Sequence, residues 1–323
     1  MSMTDSPVQS VDAAQVAAAA ARIAGTVRPV VLAGEDDDAL VDGKLTWACE
    51  YMQHSGSFKA RGAANLAAYH VQRGSMPPAG IVIASGGNAG LACAWAARAT
   101  GTPATVFVPR TTPAFKVAKL RGYGPKLELV GDEYADALAA SQEYARRTGA
   151  LLSHAYDNPL IAAGGGTLAL EILAQRPSTQ TLVVAVGGGG LFSGIAAAVA
   201  DRGVRVVAVE PETCRALNAA LAAGGPVDVP VSGVAADSLG ARRVSRDAYT
   251  LARGGLVESV TVPDSQIIAA RRELWERRRI VVEHGAATAY AALACGAYTP
   301  EPNEQVVLVL CGANTDPADL VDR

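Results

Sequence analysis

Tyr51-Met52-Gln53-His54-Ser55-Gly56-Ser57-Phe58-Lys59-Ala60-Arg61-Gly62 places one lysine just past a Ser-Gly-Ser turn, where a helix begins. Serine and glycine suit a helix entrance, because the first backbone N–H groups need acceptors and the turn needs φ freedom. A lysine in that first turn sits against the positive end of the helix dipole, which lowers its pKa. A neutral amine attacks a carbonyl and an ammonium does not. An exposed helix lysine is the plain alternative. Lys59 stands out by its neighbourhood, with Phe58 beside it and two glycine-rich loops downstream.

Outward from this stretch the chain alternates short apolar runs with helical patterns. Residues 12–23 form an alanine-rich helix, and 45–50 read as a strand leading into the lysine turn. A helix is predicted from Phe58 to about Gln72. Ile81-Val82-Ile83-Ala84 is then an apolar run of the kind found in buried parallel strands. Further strands are expected at 105–108, 126–130, 182–186, 204–209 and 306–310, with helices at 91–99, 115–121, 133–148 and 267–278. Leu151-Leu152 reads as the return to the first layer, and Gly164-Gly165-Gly166-Thr167 as leading into a helix. Glu35-Asp36-Asp37-Asp38 is most simply a solvated loop. The alternation defines an α/β protein of two domains, each an open, mainly parallel sheet flanked by helices.

Composition narrows the function classes. The 323 residues suit about two domains. Half are hydrophobic and 18% charged, enough for a sizeable core. A net charge of −3 argues against a nucleic-acid partner. The five cysteines, widely spaced and without C-x-x-C, fit free thiols in a reducing compartment, and a cytoplasmic location is expected. Residues 181–200 carry no charge and are long enough to span a bilayer. Gly187 to Gly190 interrupt them, so strand, loop and helix is the better reading and no membrane partner is expected.

Two glycine-rich loops each join a strand to a helix. Gly187-Gly188-Gly189-Gly190 lets backbone N–H groups close on an anion at a helix N-terminus; a phosphate site and a tight turn both satisfy it. Neither G-x-G-x-x-G nor G-x-x-x-x-G-K is present. Ser85-Gly86-Gly87-Asn88-Ala89-Gly90 reads alone as an ordinary connection with Asn88 as cap.

Four stretches in order carry a resemblance: Gln53 to Gly62, Ser85 to Gly90, Gly187 to Leu191, and Cys311-Gly312-Ala313-Asn314. Together they resemble the serine/threonine dehydratase family, fold-type-II enzymes that use pyridoxal 5′-phosphate, from about Ala13 onward. The resemblance implies a discontinuous large cofactor-binding domain (1–63 plus 155–323) and a small substrate-side domain (64–154), with the site between them. It makes Lys59 the Schiff-base lysine and α-proton base. Phe58, Asn88, Gly187, Gly188, Gly189, Gly190, Leu191 and Cys311 join Lys59 in holding the cofactor: the tetrad takes its phosphate, Asn88 its phenolic oxygen, and Cys311 faces its ring nitrogen. Ser85, Gly86, Gly87, Asn88 and Ala89 receive the substrate carboxylate.

The reaction implied is β-elimination of serine and/or threonine to a 2-oxo acid and ammonia, by a homodimer acting on a small β-hydroxy amino acid. β-Replacement, as in cysteine or threonine synthases, and racemisation are the alternatives; a non-catalytic cofactor carrier is a third. Related racemases carry a proton-donating serine where this chain has Gly86. No regulatory domain is expected after Asn314. Some relatives bind a divalent cation through a strand-end glutamate and an aspartate six residues on; here Glu210 is followed by Ala216, so no metal is expected. His54 and His284 stand where relatives often have proline, and read as structural substitutions.

Overall fold

The structure, a computed structural model, describes residues 10–34 and 44–321. The acidic run Glu35 to Asp38 lies outside the described residues. The chain opens with α1 (Ala13–Ile23), where the Asp12 side chain accepts from Gln15 N. Strands β1 (Leu32–Ala33) and β2 (Lys44–Ala48) follow, then two short 3-10 turns lead into α2 (Lys59–Gln72). A run of alternating elements comes next: β3 (Ile81–Ala84), α3 (Asn88–Ala99), β4 (Ala104–Val108), α4 (Ala114–Gly122), β5 (Lys126–Leu129), α5 (Tyr134–Thr148) and β6 (Leu151–Leu152). Beyond it lie α6 (Pro159–Gln175), β7 (Thr181–Ala185), α7 (Gly190–Val199), β8 (Arg205–Pro211), α8 (Ala216–Ala223), α9 (Ala236–Leu239) and α10 (Arg246–Gly254). The last elements are β9 (Val257–Val262), α11 (Asp264–Arg278), α12 (His284–Ala294), β10 (Gln305–Val309) and α13 (Ala318–Val321).

The strands form two sheets. One has the order β1-β2-β10-β7-β8-β9 and is parallel except for β1 against β2; the other is β5-β4-β3-β6, parallel throughout. The expected α/β architecture with two mainly parallel sheets is therefore observed. Strands β3 and β7 are buried along their whole length, because helices cover both faces and leave no polar side to alternate with. Residues 181–200 are strand, loop and helix, and among the described residues no helix is long and apolar enough to cross a membrane.

Three sequence expectations need correction. Leu151-Leu152 does not return to the first sheet: it is the edge strand beside β3 in the second. Gly164, Gly165 and Gly166 do not precede a helix but lie inside α6, which starts earlier at Pro159 with Asn158 accepting from Leu160 N and Ile161 N. Those glycines cost helix propensity, but they let backbones touch. A Cβ on Gly164 would stand 2.5 Å from Arg61 O, one on Gly62 2.6 Å from Ile161 O, and one on Gly166 would run into Gly194 O. Helices α2, α6 and α7 thus cross at backbone contact. The strand expected at 45–50 ends at Ala48, because Glu50 turns inward in a 3-10 turn.

Glu50 turns in to meet Arg61. Arg61 is 0% exposed and Glu50 1%. Arg61 Nε donates to Glu50 Oε1 at 2.6 Å and Nη2 to Glu50 Oε2 at 3.0 Å; Nη1 and Nη2 reach the two oxygens of Glu171 at 2.6 and 3.0 Å. Nη1 also donates to Thr167 Oγ1. Two carboxylates on a planar fork offset the desolvation of a buried cation, and removing one member leaves the others uncompensated. Arg61→Met should lower unfolding free energy by about 3–5 kcal/mol, read as a lower denaturant midpoint, whereas Arg61→Met with Glu50→Gln should recover part of the loss. Equal midpoints for wild type and Arg61→Met would show that the cluster holds nothing together.

Candidate active site

Lys59 is the first residue of α2. The turn before it is tight: Ser55 has φ 60° and Gly56 φ 75°, and a Cβ on Gly56 would come 2.8 Å from Asn314 Oδ1. Lys59 Nζ donates to Ala155 O at 3.1 Å and lies 4.6 Å from the Phe58 ring centroid. Burial pulls its pKa down to about 8, while Cys311 and Glu283 nearby pull it partly back. The lowering is as expected, but desolvation rather than the helix dipole is the main cause.

Asn88 does not cap its helix. Gly87 holds the cap position, and Asn88 opens α3 with its side chain turned elsewhere. Its Nδ2 donates to Glu283 Oε1 at 2.7 Å, and its Oδ1 accepts from Asn314 Nδ2 at 2.7 Å. Asn314 also donates to Ser55 O at 2.7 Å. Glu283 is buried, and burial raises its carboxyl to about 7, against the Asn88 amide, which lowers it. A Cβ on Gly312 would stand 2.6 Å from Glu283 Oε1 and 3.2 Å from Ser57 Cβ. Segments 55–59, 88, 283 and 311–314 therefore converge. Ser85 Oγ accepts from Gly87 N, so Ser85, Gly86 and Gly87 turn as one loop at the end of β3.

The glycine tetrad follows β7 and enters α7. Gly189, at φ 94°, is the cap, and no side chain caps the helix. The first-turn N–H groups of a helix have no intrahelical acceptor, and here no side chain supplies one. Close packing constrains the tetrad as well: a Cβ on Gly187 would stand 2.9 Å from Leu239 Cα, and one on Gly188 would enter the Tyr156 ring. The tight-turn reading of the tetrad thus has a structural counterpart in this packing. Ala155 carries the acceptor for Lys59, and its neighbour Tyr156 covers Gly188, so one short segment joins the lysine to the tetrad.

Cys311 is buried at the end of β10, and Phe58 N donates to its backbone oxygen at 2.9 Å. Burial pushes its thiol well above the ordinary value, so it stays neutral. Ser55 and Ser57 hydroxyls are buried without a hydrogen-bond partner. An amine of lowered pKa, uncapped N–H groups, a neutral thiol and orphaned hydroxyls fit a phosphorylated carbonyl cofactor; Lys59, the tetrad, Asn88 and Cys311 could hold one.

Sequence reasoning missed Glu283, Ala155 and Tyr156, and gave Asn314 no role. Nothing in the spacing marks them, since each is brought in by the fold. His54 stacks on Trp95 with centroids 4.6 Å apart, and His284 opens α12. Both Glu210 oxygens accept backbone N–H groups, from Leu217 and Asn218 at 2.7 Å each, so this carboxylate caps α8. Among the described residues no group of three or more His, Cys, Asp or Glu could hold a metal ion.

Two mainly parallel sheets, a desolvated lysine and a glycine-rich helix entrance define a pyridoxal-phosphate enzyme of fold type II. Residues 29–312 match the family model described as pyridoxal-phosphate dependent enzyme, and the chain belongs to that family. It is 35% identical over 274 residues to an L-threonine ammonia-lyase of Geobacter sulfurreducens, covering 84% of this chain and 67% of that one. It is also 35% identical over 278 residues to the human serine dehydratase-like protein, covering 82% and 84%. The structure of maize serine racemase superposes with a TM-score of 0.89 at 30% identity, covering 97% of this chain and 96% of that one.

Two measurements test this geometry. In cofactor-free protein, modification of Lys59 by an amine reagent should rise with a midpoint near pH 8. Because the native amine loses its proton before the unfolded one, Lys59 should penalise the fold below pH 8 and cease to do so as pH rises toward the unfolded value of about 10.5. A modification midpoint near 10.5 would show that the amine is solvated. Gly188→Asp would place a carboxylate against the cradle and displace Tyr156; cofactor retention on dialysis should fall about tenfold or more, and unchanged retention would leave the tetrad a turn only.

Proposed function

We propose that this enzyme catalyses β-elimination of L-serine and/or L-threonine, giving a 2-oxo acid and ammonia. The observation that carries the reading is the Lys59 amine: desolvated, lowered to about 8, bonded to Ala155 O and close to Cys311 and Glu283. The names of the relatives, an ammonia-lyase and a serine dehydratase-like protein, support it.

When bound, pyridoxal phosphate supplies the electron sink that acidifies the substrate's α-hydrogen. Lys59 Nζ anchors the cofactor and takes up the α-proton, which a partly neutral amine can do near neutral pH. The N–H groups at Gly187 to Leu191 take the phosphate, favoured by the α7 dipole. Asn88, oriented by Glu283 and Asn314, would donate to the cofactor's ring oxygen, and Phe58 would help hold the cofactor. The loop Ser85 to Ala89 at the α3 entrance receives the substrate carboxylate. Residues 64–154 act as the substrate-side domain and the flanks as the cofactor-side domain. Cys311, a neutral thiol, would serve the ring nitrogen and could not hold a proton there as a carboxylate would. That favours prompt loss of the hydroxyl over side reactions. Racemisation would need an acid on the face opposite Lys59, and Gly86 offers none.

Purified holoenzyme should release 2-oxo acid from serine or threonine without a second nucleophile, and Lys59→Ala should abolish this. Cys311→Ser should keep most of the activity, while Cys311→Asp should slow elimination by about tenfold or more, about 1.4 kcal/mol of barrier. Turnover only when a thiol or other nucleophile is added would favour β-replacement. Equal product ratios for the serine and aspartate variants would remove Cys311 from control of the ring.

A further inference from the structure

The mouth of the site carries an ion pair that no motif announces. A narrow cleft opens beside Gly86, Gly87 and Asn88, the loop assigned to the substrate carboxylate, and Lys116 and Asp237 line its wall. Lys116 comes from α4, over the second sheet, and Asp237 from α9, in the part of the chain that builds the first. Lys116 Nζ lies 2.7 Å from both Asp237 oxygens. The lysine side chain is 19% exposed and the aspartate 69%, so the cation is the buried member and its counter-ion lies on the solvent side. The field of Asp237 also reaches inward: it is one of the causes that raise the Glu283 carboxyl. Lys119, one helical turn from Lys116, lines the same cleft and is exposed.

A pocket with this wall has its one partly buried cation already cancelled. A second carboxylate paired with Lys116 would have to displace Asp237 and then stand beside it, a like-charge arrangement that disfavours the ligand. An uncharged hydroxymethyl or hydroxyethyl group meets no such obstacle. We infer that Asp237 is a specificity-determining residue: by neutralising Lys116 at the pocket wall it restricts the enzyme to β-hydroxy amino acids with uncharged side chains. This rests on the ammonia-lyase reading above for the reaction, but not for the charge balance of the pocket.

The test compares wild-type and Asp237→Asn holoenzyme with L-serine, L-threonine and 3-hydroxyaspartate, a β-hydroxy amino acid bearing a second carboxylate. The kcat/KM preference for serine or threonine over 3-hydroxyaspartate should fall by about tenfold or more in Asp237→Asn, and adding Lys116→Gln should restore it. Calorimetry with succinate against butyrate gives a reading that needs no turnover: Asp237→Asn should bind succinate about tenfold tighter than wild type, with butyrate unchanged. Asp237 is largely exposed, and Asp237→Ser serves as a second variant with the same expectation. Preference and succinate affinity within about twofold of wild type in both folded variants would overturn the inference, as would a wild type that uses 3-hydroxyaspartate as readily as serine. Failure of the wild type on all three amino acids would instead overturn the ammonia-lyase reading, and succinate binding would still decide the role of Asp237.

Discussion

Arg61 carries a positive charge where water does not reach, and such a charge is tolerable only if its hydrogens all find acceptors. Glu50 and Glu171 supply most of them from opposite sides, with Thr167 and Arg28 O adding more. Glu50 ends the strand side of the lysine turn, and Glu171 sits on α6, so the guanidinium fixes β2, α2 and α6 against one another. Lys59 stands two residues before Arg61 on the same first turn of α2. Its position is therefore set by a charge cluster buried behind it rather than by the flexible stem of its own side chain.

The site side of that turn is dry in the same sense, but its groups are tuned rather than saturated. Burial lowers the Lys59 amine and raises the Glu283 carboxyl, so each moves toward its neutral form. A proton-moving amine needs this, since a fully solvated ammonium holds its proton too tightly near neutral pH. Glu283 also orders its surroundings: through Asn88, Asn314 and the Ser55 carbonyl it joins segments that lie far apart in the chain. The same carboxyl sits against Gly312, where no larger residue would fit without movement.

Glycine serves two ends in this protein. In α2, α6 and α7 it removes side chains so that helices cross at backbone contact, which brings the lysine turn close to the helix that follows the tetrad. In the tetrad it makes room for Leu239 and Tyr156. A glycine-rich stretch is thus ambiguous from composition alone, since close packing and ligand approach demand the same residue.

Much of the fold was legible along the chain. The alternation of buried apolar runs with helical patterns specified parallel strands, because a strand covered on both faces needs no polar side. The lysine turn, the Ser85 to Gly90 loop, the tetrad and Cys311 were legible as local patterns, each a strand end or helix entrance whose backbone demands particular residues. The assignment of β6 to the second sheet, the helical state of Gly164 to Gly166 and the true partners of Asn88 were not. Strand pairing and helix crossing are decided by contacts between distant segments, and a two-residue strand or a helix rich in glycine has no local preference strong enough to reveal them. Glu283, Tyr156 and the Lys116–Asp237 pair belong to the same class: each is an ordinary residue in its own stretch. Only the tertiary structure brings together charges that are 121 residues apart, because an ion pair depends on distance through space and carries no signature in spacing along the chain.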